Sequence, residues 1–539
     1  MKRHMLIGAA LALALVGCTG GGSKNGGGFS DRKVEGQATN VFRYPIVTNP
    51  TTLDPGMVED GDTIDLLQQV YEGLMTWSED NQPVPLLADG MPEIQEGGKV
   101  YVFKIKKGVK FHNGKELTAE DFKWTYERNC DPKFPSPTAL NYLKEVVGVE
   151  ERIAGKAKEI SGITVVDPHT LRIEIDKPRP YFLGKLTYIV NAVLPKGAST
   201  TEIRDAAGMI GTGPFKAERY VPEQVTVLTA HKEYHEGAPL LERIERPVMK
   251  DAQTRLNKYK SGEVDLVMLE RQDVPGLQKD DKLKNELQFF PRAAIWYVGL
   301  APIKYAPFKN VNVRRAFAMA IDKNKIVNEF LGGVNQVANS IVPPGVLGHR
   351  ENANDIKFDP EAAKKLLADA GYPNGKGLPA LELTFREQRP DIRIVAEAVS
   401  SMLKEHLNVD ARLQTMEWRA FLEKRNRFDL QFVHMRWGAD YLDPENFLSF
   451  MLASYPYGPE NRLGYSNPKF DALCKEADAT MDQEKRLKLY AEAEDIALQD
   501  APWIPIYFQR DAELISPKVQ GLRKSLFGHL PHKTVKIEG

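Results

Sequence analysis

Cysteine is scarce: the 539 residues contain only Cys18, Cys130 and Cys474. Three thiols so far apart exclude a disulfide-stapled scaffold and a cysteine-rich zinc module. Cys130 and Cys474 sit in helical patterns, Trp124 to Cys130 and Phe470 to Cys474, so buried, inert thiols are expected. Catalytic signatures are missing as well. There is no Gly-x-Ser-x-Gly elbow, and neither later cysteine has the local pattern of a catalytic thiol. His231 and His235 have zinc-like spacing, but Glu233 is displaced from the metalloprotease position, and Gly237 and Pro239 favour a loop, so no metal site is expected. Gly108 to Lys115 mimics a phosphate loop with one residue too many between its glycines and Glu116 where a hydroxyl should bind magnesium. It reads as a strand end and turn. No cofactor motif remains. Neither sign of charge is in excess, with 72 Lys plus Arg against 73 Asp plus Glu, which argues against a general nucleic-acid binder. Beyond the first residues no apolar run is long enough to cross a bilayer.

What is present begins at the N-terminus. Lys2-Arg3-His4 followed by the apolar run Met5 to Gly17 has the form of a secretory signal, too short for a transmembrane helix. Leu15-Val16-Gly17-Cys18 resembles a bacterial lipobox, in which the cysteine is diacylated and becomes the new N-terminus; an ordinary signal peptide with an incidental Cys18 is the alternative. Thr19 to Gly28 is mostly glycine, a flexible coil suited to a tether. The expectation is an exported chain with a signal peptide over 1–17 and a lipidated cysteine and tether over 18–36. It would be anchored to a membrane at the periplasmic or extracellular face of the envelope.

The remainder, roughly 500 residues, is too long for one core, so at least two lobes are expected. Strand and helix patterns alternate, which indicates α/β lobes. Val100 to Val109 reads as a strand, Thr118 to Asp121 as a capping-box helix start, and Asp167 to Thr170 as the turn of a hairpin between Ile163–Val166 and Leu171–Ile175. The clearest unit is a βαβαβ run: strand Leu381–Phe385, helix Ile394–His406, strand Asp410–Thr415, helix Trp418–Lys424 and strand Phe428–Arg436. In open parallel sheets ligands gather beyond the carboxyl ends of strands. That makes Trp437-Gly438-Ala439-Asp440 a candidate site from position alone.

Many segments then resemble one family in common order: Thr52-Leu53-Asp54-Pro55, Tyr71-Glu72-Gly73-Leu74, Lys110 to Lys115, Thr118 to Phe122, Gly211 to Phe215, Ser261 to Asp265, Pro307-Phe308, Val313 to Asp322 and Ala439 to Pro444. The chain resembles the bacterial extracellular solute-binding proteins of family 5, the oligopeptide- and dipeptide-binding proteins of ABC transporters. The resemblance implies an α/β, periplasmic-binding-protein-like fold of class II (cluster C), with two lobes around a ligand cleft plus an extra domain. Carried onto this chain, it implies domain I from 37–71, 198–290 and 507–539, domain II from 72–197 and domain III from 291–506. It further implies a monomeric receptor, without enzymatic activity, that captures short peptides and delivers them to ABC permease subunits with their ATPases. The alternatives are the same receptor adapted to a nickel complex, haem or an oligosaccharide, and, more distantly, a secreted hydrolase using an unseen carboxylate pair.

The resemblance also assigns roles. Asp440 would pair with the ligand's α-amino group, and the chemistry suits it, since that amine titrates near 7.7–8.0 and a carboxylate keeps it cationic. A turn-capping carboxylate is the plain alternative. The backbones of Arg436, Trp437 and Gly438 and the neighbourhood of Glu59 would flank the ligand as strands do. Trp437 would either wall a side-chain pocket or simply pack in the core. At the ligand's carboxylate end His434 stands where the family uses an arginine and Ile392 where it uses a histidine, leaving Arg436, Arg386, Arg389 and Arg393 as possible substitutes. Ala293 and Gly438 fall where the family's cleft disulfide would be.

Overall fold

Two long antiparallel strands, Leu287–Leu300 and Trp503–Ile515, organise the molecule. The first changes character along its length: half-exposed from Leu287 to Arg292, then wholly buried through Ala293-Ala294-Ile295-Trp296-Tyr297-Val298-Gly299-Leu300. A strand covered on both faces needs such a continuous apolar run. The ladder between the pair slips in register between Pro291 and Ile295 and again between Trp296 and Tyr297. The computed structural model describes residues 40–387 and 389–538, all within one compact unit; the expected signal peptide, Cys18 and the expected tether lie outside the described residues.

Around the two long strands grows a seven-stranded sheet, in the order Leu266–Met268, Trp503–Ile515, Leu287–Leu300, Phe432–Gly438, Leu381–Arg386, Ala411–Met416, with Gln336–Val337 also paired to the second strand. The last three strands of that order are mutually parallel and are joined by helices Pro390–Leu407 and Trp418–Asn426, which is the βαβαβ unit expected from the pattern. Pro390 opens the longer helix at a position where a missing N–H costs nothing, and Ile392, Val395, Ala396, Val399, Leu403 and Leu407 form its buried stripe. The final strand starts at Phe432 instead of Phe428. Phe428 takes a left-handed φ of 57° as the helix unwinds, and its N–H returns to the Arg425 carbonyl at 2.9 Å. The strand also runs on to Gly438, two residues past the expected end.

Two four-stranded sheets complete the frame. One pairs Val41–Arg43 in parallel with Arg243–Pro247 and continues antiparallel through Val225–Ala230 to Phe215–Val221. The other is antiparallel in the order Glu93–Gln95, Val100–Lys104, Thr170–Glu174, Ile163–Asp167. The expected hairpin is there, its turn held by the His169 N–H on Asp167 Oδ1 at 2.8 Å. The strand from Val100 stops at Lys104, because Ile105 makes only a single bridge and Gly108 turns the chain at a φ of 72°. The Thr118 capping box forms, with Asp121 accepting the Thr118 N–H at 2.8 Å.

The discarded motifs have structural uses. His231 and His235 lie in a turn and face different partners, the Gly213 carbonyl and Glu72 Oε2. Cys130 and Cys474 are buried, and burial pushes the Cys130 thiol up to about 12. Among the described residues no group of three or more metal-ligating side chains is assembled, and no helix is long and apolar enough to cross a membrane.

Candidate functional site

The carboxyl end of the Phe432–Gly438 strand opens into a cleft of about 350 Å³. Six residues singled out from the sequence, Asp440, Gly438, Trp437, Arg436, His434 and Glu59, all line it, although Glu59 comes from a segment more than 370 positions earlier. The geometry differs at each.

Asp440 follows the strand end and is part-buried. Tyr142 donates its hydroxyl to Oδ2 at 2.5 Å, and the Asp440 N–H is held by Asn446 Oδ1 at 3.0 Å. Burial disfavours the charged form and raises the carboxyl from 3.8 to about 7, opposed only partly by the hydrogen bonds of Tyr142 and Asn446 and by the positive charge of Arg436. No cation lies within 4.0 Å of it among the described residues. Tyr142 is itself fixed by stacking on Tyr188 at 3.7 Å between ring centroids.

Trp437 packs against its neighbours and also lines the cleft. Its indole N–H reaches the Asn446 carbonyl at 3.0 Å and its ring packs 5.8 Å from Phe450, while one face remains on the cleft. Gly438 pairs with Ala294 in the ladder, and the Ala293 carbonyl takes the Ala439 N–H at 2.7 Å. Ala293 is thus one register position away from lying opposite Gly438. Glu59 accepts from Asn426 Nδ2 at 3.2 Å.

The other end of the strand carries no charge at neutral pH. His434 is buried against Trp296, neither ring nitrogen has a hydrogen-bond partner among the described residues, and burial lowers it to about 4 despite the nearby Asp391 carboxylate. Ile392 is fully buried in the helix core and does not reach the cleft. Of the arginines weighed as substitutes, Arg386, Arg389 and Arg436 line the cleft, whereas Arg393 is exposed beside Glu397. Arg386 also lies 4.5 Å over the Trp418 ring. Arg292, Tyr142, Asn446 and Gln509 escaped sequence reasoning. Arg292 alone had a signal, as the neighbour of Ala293.

The family model for "bacterial extracellular solute-binding proteins, family 5 Middle" matches residues 82–459. The heme-binding protein A of Haemophilus influenzae is 30% identical over 98% of both chains, and the oligopeptide-binding protein OppA of Bacillus subtilis is 30% identical over 97% of both. Among solved structures, a periplasmic oligopeptide-binding protein from Borrelia burgdorferi superposes with a TM-score of 0.84 at 26% identity, covering 93% of this chain and all of that one.

Proposed function

The chain belongs to the bacterial extracellular solute-binding proteins of family 5, and from that premise we propose that it captures short peptides and hands them to the permease of an ABC importer. It is a receptor, not an enzyme. The observation that carries the peptide reading is Asp440: a desolvated carboxylate on the cleft wall, oriented by Tyr142 and Asn446, with no cation within 4.0 Å of it among the described residues. A ligand ammonium supplies that cation. The strand backbone beside it, Arg436 to Gly438, offers pairing that is blind to side chains, and the names of relatives over nearly the whole chain support the same choice. The division into domains I, II and III belongs to this proposal, with the two long strands as the segments that cross between lobes.

Calorimetric titration tests it. Free peptides are expected to bind, and their N-acetylated forms to bind at least about 30-fold more weakly, since truncating a buried charge pair costs about 2–5 kcal/mol. Equal affinity for both forms would rule out the amine anchor. The same site sets a pH dependence. Below about pH 7 the ligand must displace a proton from Asp440, so Kd should rise up to tenfold per unit as pH falls. Above about 8 the free amine deprotonates and affinity falls again. A profile flat from pH 5 to 8 would contradict the assignment.

A second reading, a haem receptor, is favoured by one observation, the equal identity to the Haemophilus protein. A Soret shift on adding haem, with no heat from any peptide, is the outcome that would select it.

The anchor at Cys18 is also part of the proposal, with the chain a monomer on its tether. Acyl chains contribute about 0.8 kcal/mol per buried methylene, so two or more hold a protein stably at a membrane. Mass spectrometry of protein extracted from membranes should find a mature N-terminus at Cys18 carrying acyl groups. Cys18→Ser should release the chain into the soluble fraction; an unmodified Cys18 would refute the anchor.

A further inference from the structure

Among the described residues six arginines line the cleft, and five of them are paired. Arg246 meets Asp65 at 2.8 Å, Arg292 meets Asp511 at 2.9 Å, Arg386 meets Asp62 at 3.4 Å, Arg389 lies 3.8 Å from Asp391, and Arg425 is in contact with Glu460. Arg436 alone has no carboxylate within 4.0 Å among the described residues. Its Nε donates to Gln509 Oε1 at 2.6 Å, and Gln509 is fixed in turn through its Nε2 on Asp511 Oδ1 at 2.5 Å. The two Nη atoms have no acceptor among the described residues. The guanidinium is therefore aimed and held, yet four of its five N–H donors have no acceptor among the described residues.

Gly438 shows where it is aimed. A Cβ built on Gly438 would stand 2.8 Å from both Nη atoms of Arg436 and 2.9 Å from its Cζ. Residues two apart on a strand share a face, so the Arg436 side chain runs forward over Gly438, toward Asp440. Any side chain at 438 would expel it. The position that the resemblance gives to a disulfide cysteine is instead the bed of a guanidinium.

Two opposite charges thus face one another along a single strand end without touching. Asp440 is two residues beyond Gly438, just past the strand end, and so at most about 7 Å from it at the roughly 3.3–3.6 Å per residue of an extended chain. Arg436 is near enough for its charge to act on the Asp440 carboxyl, and burial together with the charge of Arg292 brings Arg436 itself down to about 10. An extended dipeptide spans about 7 Å between its ends and a tripeptide about 10 Å, at 3.3–3.6 Å per residue.

We propose that Arg436 takes the α-carboxylate of a dipeptide whose α-ammonium sits on Asp440, so that this chain is a receptor for two-residue peptides. The inference rests on the peptide reading and sharpens it. The guanidinium fork matches a carboxylate in bidentate fashion, and a third ligand residue in an extended chain would run into it. His434 and Ile392, further along, are then not needed as anchors, which accounts for their loss of charge.

The test is a calorimetric series of alanine peptides from two to five residues, each as free acid and C-terminal amide, on the full chain and on Arg436→Gln. Dialanine should bind most tightly, and its amide at least 30-fold more weakly. Arg436→Gln should weaken the free acid by a similar factor and the amide little, bringing the acid-to-amide ratio toward one. Gly438→Ala, which displaces the guanidinium without removing it, should do the same in smaller measure. Tighter binding of tetra- or pentaalanine, or a wild-type protein indifferent to amidation, would overturn the proposal while leaving the peptide reading intact. Heat from no peptide at all would overturn both. Because the length series and the amidation ratio are read on the wild-type chain, a poorly folded variant does not decide the outcome.

Discussion

Asp440→Asn should weaken peptide binding by about 100-fold or more and, at the same time, raise the thermal stability of the empty protein. The first effect follows from losing the one negative charge that faces the ligand amine, since a truncated buried charge pair costs about 2–5 kcal/mol. The second follows from the cost of holding that charge. The carboxyl sits at about 7 in the folded protein because burial penalises its ionised form, whereas in the unfolded chain it titrates near 3.9. A folded-state value above the unfolded one means that stability is lost as pH rises from about 4 to about 7. Asparagine removes that loss and can still accept the Tyr142 hydroxyl, and the hydrogen bond from the backbone N–H of residue 440 to Asn446 Oδ1 is kept. The gain should be on the order of 1 kcal/mol at pH 8, a size common for relieving functional strain, and should shrink toward pH 4. Calorimetric melts at the two pH values check it. A variant that loses binding and stability together would make Asp440 a structural residue instead.

How much of this was legible before the coordinates follows from the range of the interactions concerned. The βαβαβ unit is written in local apolar periodicity, so its elements were readable to within a few residues, and Asp440 followed from its place after the last strand. The boundary at Phe428 was not readable, because an aromatic residue with a left-handed φ is decided by the helix end before it and gives no compositional sign. Tyr142 was illegible for a different reason. It lies 298 positions from Asp440, in a short helix whose pattern speaks only of its own packing, and only the closing of the chain brings the two together. Arg436 was named for its backbone and weighed only as one of four possible anchors. That it has no carboxylate partner among the described residues depends on where five other arginines find their acids, which no sequence pattern shows. Gly438 read as an absent cysteine; the structure gives it the positive role of leaving room.

The Thr52-Leu53-Asp54-Pro55 segment carries the other large effect, and there it concerns folding. Asp54 is fully buried and takes a bidentate grip from Arg128, with Nη2 on Oδ2 at 2.5 Å and Nη1 on Oδ1 at 3.2 Å. The Gly56 N–H at 2.9 Å and the Ile203 N–H at 3.0 Å use its remaining lone pairs. Arg128 also donates to the Ser199 and Thr201 carbonyls and lies 4.0 Å over the Phe134 ring. One ion pair therefore ties three separate stretches of chain, around residues 54, 128 and 201. Asp54→Ala is expected to cost about 3–5 kcal/mol, since it strands a buried guanidinium and two backbone donors in a place water does not reach. Arg128→Met strands the buried Asp54 carboxylate in its turn, though the Gly56 and Ile203 N–H groups still serve it, so it should cost a comparable amount, and the double variant less than the sum, because removing both partners leaves no unpaired charge. Urea melts of the three proteins give the coupling directly. The surface pair Arg419–Glu423, 3.6 Å apart and more than half exposed on both sides, is the control: breaking it should shift the midpoint by less than about 0.5 kcal/mol. If Asp54→Ala moved stability no further than that control, the segment would have to be read as part of the ligand site, through the Glu59 and Asp60 that follow it, and not as the fastening of the chain on which that site is carried.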